Sequence, residues 1–523
     1  MIIVSCPVIA EAQTEWKDNY VTLAVNDQTN PSIARPSNEE YTIIVWEDTR
    51  DPYSWHTDIY AQKIDNKNGL PMWSPPDGVP VCTAGGNQKN PRAAYDSLGN
   101  VIVVWEDFRN DSSNAAIYAN CLSVSDGSAN QSWASNGTVV CSTRSHAERP
   151  RIAGGIDGSY IAWVDWRNSS TMNPDSANRD IYLQYLNSSD GNYPRGGSYV
   201  WAPNGVLVPG SSRYDDTNVE LERDFHCDAE NRDGVILVYQ SKRDTSTYTS
   251  EPIFAVYANR FDAHGNSSWP DLRCANYHEE QVLPQIRVLG RYGSPGDTLA
   301  TIVWMDERND PDIPTYDIYG QQISRYQPVI TSGSPTGLVV CDQSNTQRYP
   351  ELSLYERPYD PAHQISYLAR VVCVWEDLRD VGSNGIDVYT ATLDGVTAAL
   401  ANPSGTTGEP VSFQSGDQTQ PRVDNFLLDS DAYFVWRDGS SEDGTDDGWD
   451  IWYQSMELIS RMFYLTEGTG KAVTVAKNGQ TNPQAGGNVF VYADRRRDVI
   501  TDDEQHDWNI YAETPGECVG DKY

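Results

Sequence analysis

The sequence predicts an all-β protein, a single eight-bladed β-propeller of four-stranded antiparallel blades whose ring is closed by an N-terminal strand. Three observations predict it. One tryptophan-centred motif returns eight times, at intervals averaging about 64 residues, in a chain of 523 residues. Each copy is accompanied by other short motifs in a fixed order. Every element is β-branched or aromatic and bounded by turn-forming residues, which is typical of strands. Units of four antiparallel strands that repeat radially form propellers.

The central motif is Val-Trp-x-Asp-x-Arg, which spans Val45 to Arg50 in its first copy. Its aromatic residue falls at 46, 105, 163, 239, 304, 375, 436 and 492. Alternation along a strand places Trp46, Asp48 and Arg50 on one side. A residue repeated in nearly every blade is normally needed to build the blade. We therefore expect the tryptophan to pack between blades and the aspartate to pair with the arginine.

Three companion motifs supply the other strands of each unit. Gln-x-x-Pro, first seen at Gln28, precedes the central motif and begins strand A. Asp-Ile-Tyr, first seen at Asp58, follows in strand C, and a valine run ending at Cys82 forms strand D. A proline at the start of strand A predicts that A is the inner edge strand, where a missing amide donor faces the channel.

The eighth unit lacks its fourth strand, and an unassigned strand, Val21 to Val25, precedes the first Gln-x-x-Pro. We expect residues 21–27 to complete blade eight, which removes an exposed edge. The propeller then covers 21–514, with 1–20 as a signal-peptide remnant or N-terminal extension and 515–523 as a C-terminal tail. The alternative is that this strand docks into another subunit and builds polymers.

Charge and composition exclude several classes of function. Acidic residues number 74 and basic residues 38, for a net charge of −36. This balance argues against nucleic acid and anionic membranes as partners, because both require a basic surface. No run of 18 apolar residues exists to span a membrane as a helix. The 16 Trp, 31 Tyr and 9 Phe are too many aromatic residues for a disordered acidic chain.

From about Val21 onward, the chain resembles secreted bacterial and archaeal propeller proteins built on Val-Trp-x-Asp-x-Arg…Asp-Ile-Tyr-Ala-Gln repeats. The resemblance implies a propeller fold and a secreted or cell-surface location. That family is functionally heterogeneous, so the resemblance implies no particular activity.

The loops between strands B and C hold the candidate binding residues. Trp55, Trp449 and Trp508 each lie just before strand C, where an exposed ring can stack on a sugar or anchor a protein. The alternative is a loop folded onto its own blade. The acidic, glycine-rich loop of blade seven offers oxygen ligands for Ca²⁺, or it is simply solvated. The calcium candidates are Asp438, Glu442, Asp443, Asp446, Asp447 and Asp450.

Two modifications follow from an exported location. Cys121 and Cys141 lie on neighbouring strands C and D of blade two and could form a disulfide if the chain is secreted. The alternative for Cys141 is a buried thiol on strand D. N-glycosylation sequons occur at Asn110, Asn130, Asn136, Asn168, Asn187 and Asn266. Cys-x-x-Cys and clustered histidines are absent from the sequence, which argues against a zinc or redox centre.

The sequence favours a non-enzymatic extracellular binding or assembly module that uses its acidic, Trp-bearing loop face to contact protein, glycan or another copy. Asp boxes, a Gly-x-Ser-x-Gly elbow and a P-loop are all absent from the sequence, which argues against catalysis. Two alternatives remain. One is a polysaccharide-acting enzyme, a glycosidase or lyase, with its site at the axial pocket. The other is a structural subunit of an extracellular fibre or surface layer that exchanges strands.

Overall fold

The computed structural model describes residues 16–22, 24–34, 36, 40–51, 56–171, 178–211, 214–225, 233–247, 249–269, 271–289, 298–309, 315–324, 335–357, 368–395, 405–412, 416–425, 431–439, 450–457, 471–474, 480–486, 489–494 and 509–515. Over these ranges the chain forms eight separate four-stranded sheets, and each pairing within them is antiparallel. The prediction of an eight-bladed all-β propeller is confirmed.

The strands follow one order in every blade, from the inner strand to the outer one. Strand β1 (Trp16–Tyr20) belongs to the last blade. Blade 1 contains β2 (Gln28–Ala34), β3 (Tyr41–Asp48), β4 (Asp58–Asp65) and β5 (Val79–Cys82). Blade 2 contains β6 (Gln88–Tyr95), β7 (Val101–Asp107), β8 (Ala116–Leu122) and β9 (Thr138–Cys141). Blade 3 contains β10 (Ala147–Gly154), β11 (Gly158–Asp165), β12 (Asp180–Asn187) and β13 (Val206–Leu207). Blade 4 contains β14 (Asp216–Asp224), β15 (Gly234–Thr245), β16 (Pro252–Asp262) and β17 (Leu272–Arg273).

The second half of the ring is built in the same way. Blade 5 contains β18 (Gln281–Val288), β19 (Thr298–Asp306), β20 (Asp317–Ser324) and β21 (Leu338–Cys341). Blade 6 contains β22 (Gln347–Arg357), β23 (Leu368–Asp377), β24 (Asp387–Asp394) and β25 (Glu409–Pro410), with a 3₁₀ turn at Gly405–Thr407. Blade 7 contains β26 (Gln418–Asn425), β27 (Asp431–Asp438), β28 (Asp450–Glu457) and β29 (Lys471–Thr474). Blade 8 contains β30 (Gln480–Gly486), β31 (Val489–Asp494), β32 (Asn509–Pro515) and β1.

The hydrophobic core is a set of eight layers, one at each interface between neighbouring blades. Each inner strand also contacts the inner strand of the next blade, and β30 contacts β2, so the inner strands form a closed ring around the axis. A blade cannot bury both of its apolar faces alone, and stacking radially buries them without leaving a free end.

The closing strand lies earlier in the chain than the sequence predicted. Closure by an N-terminal strand is confirmed, but the strand is β1, paired with β32 from Trp16↔Pro515 to Tyr20↔Tyr511, rather than 21–27. Val21 ends this pairing by donating its N–H to the carbonyl of Ile510 at 3.0 Å. The spacing of the other D strands explains the correction. Cys82 lies six residues before Gln88, and the same interval counted back from Gln28 ends the strand near residue 22.

The Trp-x-Asp-x-Arg motif builds the blade interiors as expected. Trp105 is fully buried and donates its Nε1–H to Oδ2 of Asp107 at 2.7 Å. Arg109 donates to both carboxylate oxygens of Asp107, at 2.8 and 2.6 Å, and stacks over the ring of Tyr118 at 4.0 Å. The strand-B tryptophans at 46, 163, 304, 375 and 436 are buried to the same extent. Because the buried carboxylate is fully hydrogen-bonded and paired, this motif is scaffold.

The turn before strand D is shaped by the same tryptophan. Gly137 has a φ of +94°, and a Cβ there would lie 2.5 Å from the Trp105 ring. Only glycine adopts this conformation without strain and leaves room for the indole.

The predicted disulfide does not form, because strand register separates its two cysteines. Cys141 lies opposite Ile117, whereas Cys121 is four residues further along β8 and faces Ile102. Four residues of strand span about 13 Å, beyond the reach of a disulfide. Both thiols are buried and neither is part of a disulfide. Burial raises the pKa of Cys121 and of Cys141 to about 12, so these thiols stay protonated and unreactive.

Candidate binding site in the axial channel

A β-bulge recurs at the same place in all eight inner strands. The pairing register shifts by one residue there, as between Lys89 and Arg92 in β6. The third residue of each inner strand has a positive φ of 49–55°. These eight residues are Asn30, Asn90, Arg149, Asn218, Leu283, Tyr349, Gln420 and Asn482. Asparagine tolerates this left-handed conformation better than other side chains with a Cβ, which accounts for its use in four blades.

The middle residue of Trp-x-Asp holds the bulge of the next blade, a role that sequence reasoning missed. Oε1 of Glu47 accepts the backbone N–H of Asn90 at 2.8 Å. Glu106 accepts from Arg149 at 2.7 Å in the same way, and Glu376 accepts from Gln420 at 2.8 Å. These three glutamates are 3–7% exposed. Each therefore fixes the neighbouring inner strand against its own blade and sets the position of the residues that follow the bulge.

Two residues beyond each bulge, one side chain per blade lines the channel. We call these eight residues the axial ring. In blade order they are Ser32, Arg92, Arg151, Glu220, Gln285, Glu351, Arg422 and Gln484, and all of them line one cavity of about 530 Å³, the channel cavity. The backbone repeats at these positions but the side chains do not, so the ring holds three cations and two anions.

Ion pairs within the axial ring join neighbouring blades. Nε of Arg151 lies 2.7 Å from Oε1 of Glu220, and Nη1 of Arg422 lies 3.3 Å from Oε1 of Glu351. Arg92 has no such partner among the described carboxylates and donates its Nη1–H to the carbonyl of Pro91 at 2.8 Å. Both glutamates of the ring are therefore matched, and Arg92 carries a charge that the ring does not neutralise.

A second level of charged residues lies two positions further along the inner strands. Arg287 and Asp424 line the channel cavity there. Glu222 lies at the equivalent position of blade 4 and accepts the backbone N–H of Val288 at 2.7 Å. Burial raises the pKa of Glu222 to about 7, against the opposing charge of Arg287. This carboxyl is therefore partly protonated near neutral pH.

Above the axial ring the channel opens into a second cavity of about 530 Å³, the mouth cavity. It lies where the inner strands begin, on the face that carries the D–A and B–C loops. Its lining combines the apolar surfaces of Leu283, Pro284 and Pro350 with the amides of Asn218 and Gln420. Tyr349 also lines it and is 49% exposed. The two cavities are continuous, since they share the axial-ring residues of blades 3 to 7.

Blade 4, which departs most from the repeat, rebuilds the scaffold with different residues. Tyr239 replaces the tryptophan, and Ser241 replaces the aspartate. Asp271 stands where Gly137 stands in blade 2, and it accepts the Tyr239 hydroxyl at 2.8 Å. Arg243 pairs with the same Asp271 carboxylate. The smaller ring leaves space that the Asp271 side chain fills, so these substitutions preserve the packing of the blade.

The predicted tryptophan site and most of the predicted calcium ligands belong to loops between strands B and C. Trp55, Trp449 and Trp508 lie outside the described residues, as do Glu442, Asp443, Asp446 and Asp447. Asp450 begins β28 opposite Asp438, and only its backbone is described. Asp438 is fully buried and accepts Trp436 Nε1–H at 3.0 Å, so it belongs to the scaffold. The calcium site stays a prediction.

The asparagines of the six sequons differ in their exposure to solvent. Asn110, Asn168 and Asn266 are exposed, whereas Asn130, Asn136 and Asn187 are half-buried. The amide of Asn130, where a glycan would attach, donates to the carbonyl of Ser188 at 3.0 Å. Glycosylation at this position would break that bond, and modification at all six stays a prediction.

Within the described ranges, no three His, Cys, Asp or Glu residues are grouped so that they could hold a metal ion. The same ranges contain no helix of the length and apolarity needed to cross a membrane.

Comparison with known proteins finds only distant likenesses, all of them to solved structures. No family model and no curated protein matches it. It is similar to the β-propeller domain of the Trilobed protease from Pyrococcus furiosus (10% identity, 82% of this chain and 95% of that chain, TM-score 0.37). It is also similar to the GH93 α-L-arabinofuranosidase of Fusarium graminearum in complex with arabinobiose (11%, 80% and 91%, TM-score 0.37). Trypanosoma rangeli sialidase is a third (8%, 86% and 58%, TM-score 0.34). One fold hosts many functions, so nothing about this chain's activity follows from these likenesses.

Proposed function

We propose that the protein is a non-enzymatic extracellular binding module whose ligand, a glycan, enters the mouth cavity. The observation that carries this proposal is the composition of that cavity. An exposed tyrosine, Tyr349, lies beside prolines and three side-chain amides in a pocket of about 530 Å³. Pockets of this size with an aromatic surface and a few placed polar groups suit a sugar ring, which offers one apolar face and several hydroxyls.

The carboxylates at the axis support binding over catalysis. Glu220 and Glu351 are each held by an arginine of the adjacent blade, at 2.7 and 3.3 Å. Glu376, which also lines the mouth cavity, is 3% exposed and accepts the Gln420 N–H. Glycosidases require two carboxyl groups free to act on opposite sides of a bond. Here the carboxylates at the mouth have structural partners.

The test uses Tyr349→Ala, with Tyr199→Ala as the matched control. Tyr199 is similarly exposed, at 39%, but lies in the C–D connection of blade 3 on the opposite face. A panel of oligosaccharides is titrated against the full chain by calorimetry. We expect Tyr349→Ala to weaken binding about tenfold or more, since stacking on an aromatic ring contributes about 1–2 kcal/mol, and Tyr199→Ala to bind like wild type. Equal affinities for wild type and Tyr349→Ala, or no binding at all, would overturn the proposal.

A second candidate, a polysaccharide-acting hydrolase, is favoured by one observation. Glu220 and Glu222 lie on the same face of β14 in unequal environments. The former is paired with Arg151, and the latter has a pKa raised to about 7 by burial. A proton-donating acid beside an ionised carboxylate is the arrangement that glycosidases use. Release of reducing ends from a polysaccharide panel, lost in Glu222→Gln, would establish this function, and no release at any pH between 5 and 8 would exclude it for that panel.

A further inference from the structure

We propose that the channel cavity binds an oxyanion at Arg92, with Arg151 and Arg422 completing a positive lining, and that this oxyanion is the carboxylate of an acidic sugar in the ligand. The inference deepens the proposed binding role, on which it rests, by naming the acidic group that the ligand carries.

The first support is the unmatched charge of Arg92. Arg151 and Arg422 occupy the same position in blades 3 and 7, and each has a glutamate partner within the ring. No described carboxylate lies within ion-pair distance of Arg92. Its Nη1 donates to the Pro91 carbonyl at 2.8 Å. That leaves the other guanidinium N–H groups free to face the cavity. A guanidinium offers a planar set of donors that matches a carboxylate, sulfate or phosphate.

The second support is the repulsion between like charges around the cavity. Burial first, and then the charges of Arg151 and Arg422, together lower the pKa of Arg92 to about 10, with Glu220 opposing them. Arg92 remains protonated at neutral pH, so it stays charged in a position that disfavours charge. A bound anion would relieve this repulsion and satisfy the free donors.

The third support is the contrast with the rest of the molecule. The chain carries 74 acidic residues against 38 basic ones, yet the axial ring holds three arginines and two glutamates. The acidic surface disfavours nonspecific anion binding elsewhere. The mouth cavity and the channel cavity share Arg151, Gln285 and Arg422. A glycan seated against Tyr349 therefore has a continuous path along which an acidic substituent reaches Arg92.

The experiment compares glucuronate with glucose, which differ by one carboxylate, and adds sulfate as a free oxyanion. Thermal unfolding and calorimetry are run on the full chain at constant ionic strength set with sodium chloride. We expect glucuronate to raise the melting temperature saturably and glucose to leave it unchanged. Arg92→Gln should weaken glucuronate binding at least tenfold. Arg195→Gln, which removes an exposed arginine on the β12–β13 connection, should bind like wild type.

The ligand-free variants show whether the loss is a folding defect. Arg92→Gln removes one of three like charges, so its melting temperature without ligand should equal or exceed that of wild type. The inference is overturned if Arg92→Gln responds to glucuronate as wild type does, or if sodium chloride alone reproduces the shift. Sulfate binding at Arg92 without glucuronate binding would overturn the acidic-sugar assignment and leave a site for a free oxyanion.

The two proposals can fail separately. Neutral oligosaccharides that bind at Tyr349, with no preference for acidic ones, would support the binding module and overturn the oxyanion site. Glucuronate binding that depends on Arg92, with no loss in Tyr349→Ala, would support the oxyanion site and overturn the role of the mouth cavity.

Discussion

The strand-B motif and the axial ring each contribute one residue per blade from equivalent backbone positions, but they differ in chemistry. The motif places Trp in six blades and Tyr in two, and all eight rings are fully buried. The axial ring places Ser, Arg, Glu or Gln two residues beyond the same bulge. Each motif side chain packs against a neighbouring blade of the same shape, so the same residue recurs. The axial side chains face open space, so packing does not require any particular residue there. These positions can therefore differ between blades and contact a ligand.

The largest loss of stability is expected for a substitution in the strand-B motif, which is the most strictly repeated part of the chain. Trp105→Ala should lower the free energy of unfolding by about 3–5 kcal/mol, because it leaves a cavity in the layer between blades 1 and 2 and removes the donor to Asp107. Chemical denaturation monitored by circular dichroism measures this change in the free energy of unfolding. A loss below 1 kcal/mol would mean that this motif is not scaffold.

Blade 4 offers a test of compensation within the scaffold. Tyr239→Trp alone should destabilise the protein by about 1–3 kcal/mol, because the larger ring meets the Asp271 side chain. Adding Asp271→Gly and Ser241→Asp restores the arrangement of the regular blades and should recover most of that loss. The unfolding free energies of the single and triple variants measure the coupling. No recovery would contradict the equivalence of Asp271 and Gly137.

Buried aspartates of the scaffold should make stability depend on pH. Burial, with the facing aspartate of strand B adding to it, raises the pKa of Asp58 and Asp317 to about 7. Burial likewise raises that of Asp180 and Asp387 to about 6. The folded state therefore binds protons more tightly than the unfolded chain, and this stabilisation is lost as pH rises through 6–7. We expect the melting temperature to fall between pH 5 and pH 8.

Asp58→Asn provides the control for that pH dependence. An asparagine at 58 cannot deprotonate, so this variant should show a shallower fall than wild type and a higher melting temperature at pH 8. A wild-type melting temperature that rises over the same range would contradict the raised pKa values.

The smallest loss of stability is expected for a substitution in the axial ring. Gln285→Ala removes a side chain that lines both cavities without lying in any interblade layer. Its unfolding free energy should stay within about 0.5 kcal/mol of wild type. A loss comparable to that of Trp105→Ala would abolish the distinction between the two regions.

Much of the scaffold could be predicted from the sequence, because it depends on local patterns that recur. The spacing of Trp46 and its equivalents predicted eight blades, and alternation predicted that Asp48 and Arg50 meet. Two predictions from local sequence patterns were wrong, the disulfide and the bounds of the closing strand. Cys121 and Cys141 lie on adjacent strands, but pairing register sets them about 13 Å apart. The run beginning at Val21 resembles a strand, yet the strand that pairs with β32 is β1, which ends at Tyr20.

The sequence by itself determined the number of blades, the order of their strands and the residues that fill the interblade layers, because each of these follows from contacts between residues near one another in the chain. Only the tertiary structure decided what faces the axis. Arg92 and Arg422 are separated by more than 300 residues, and no local pattern relates them. Ring closure brings them to one cavity, where their charges act on each other through a partly desolvated space.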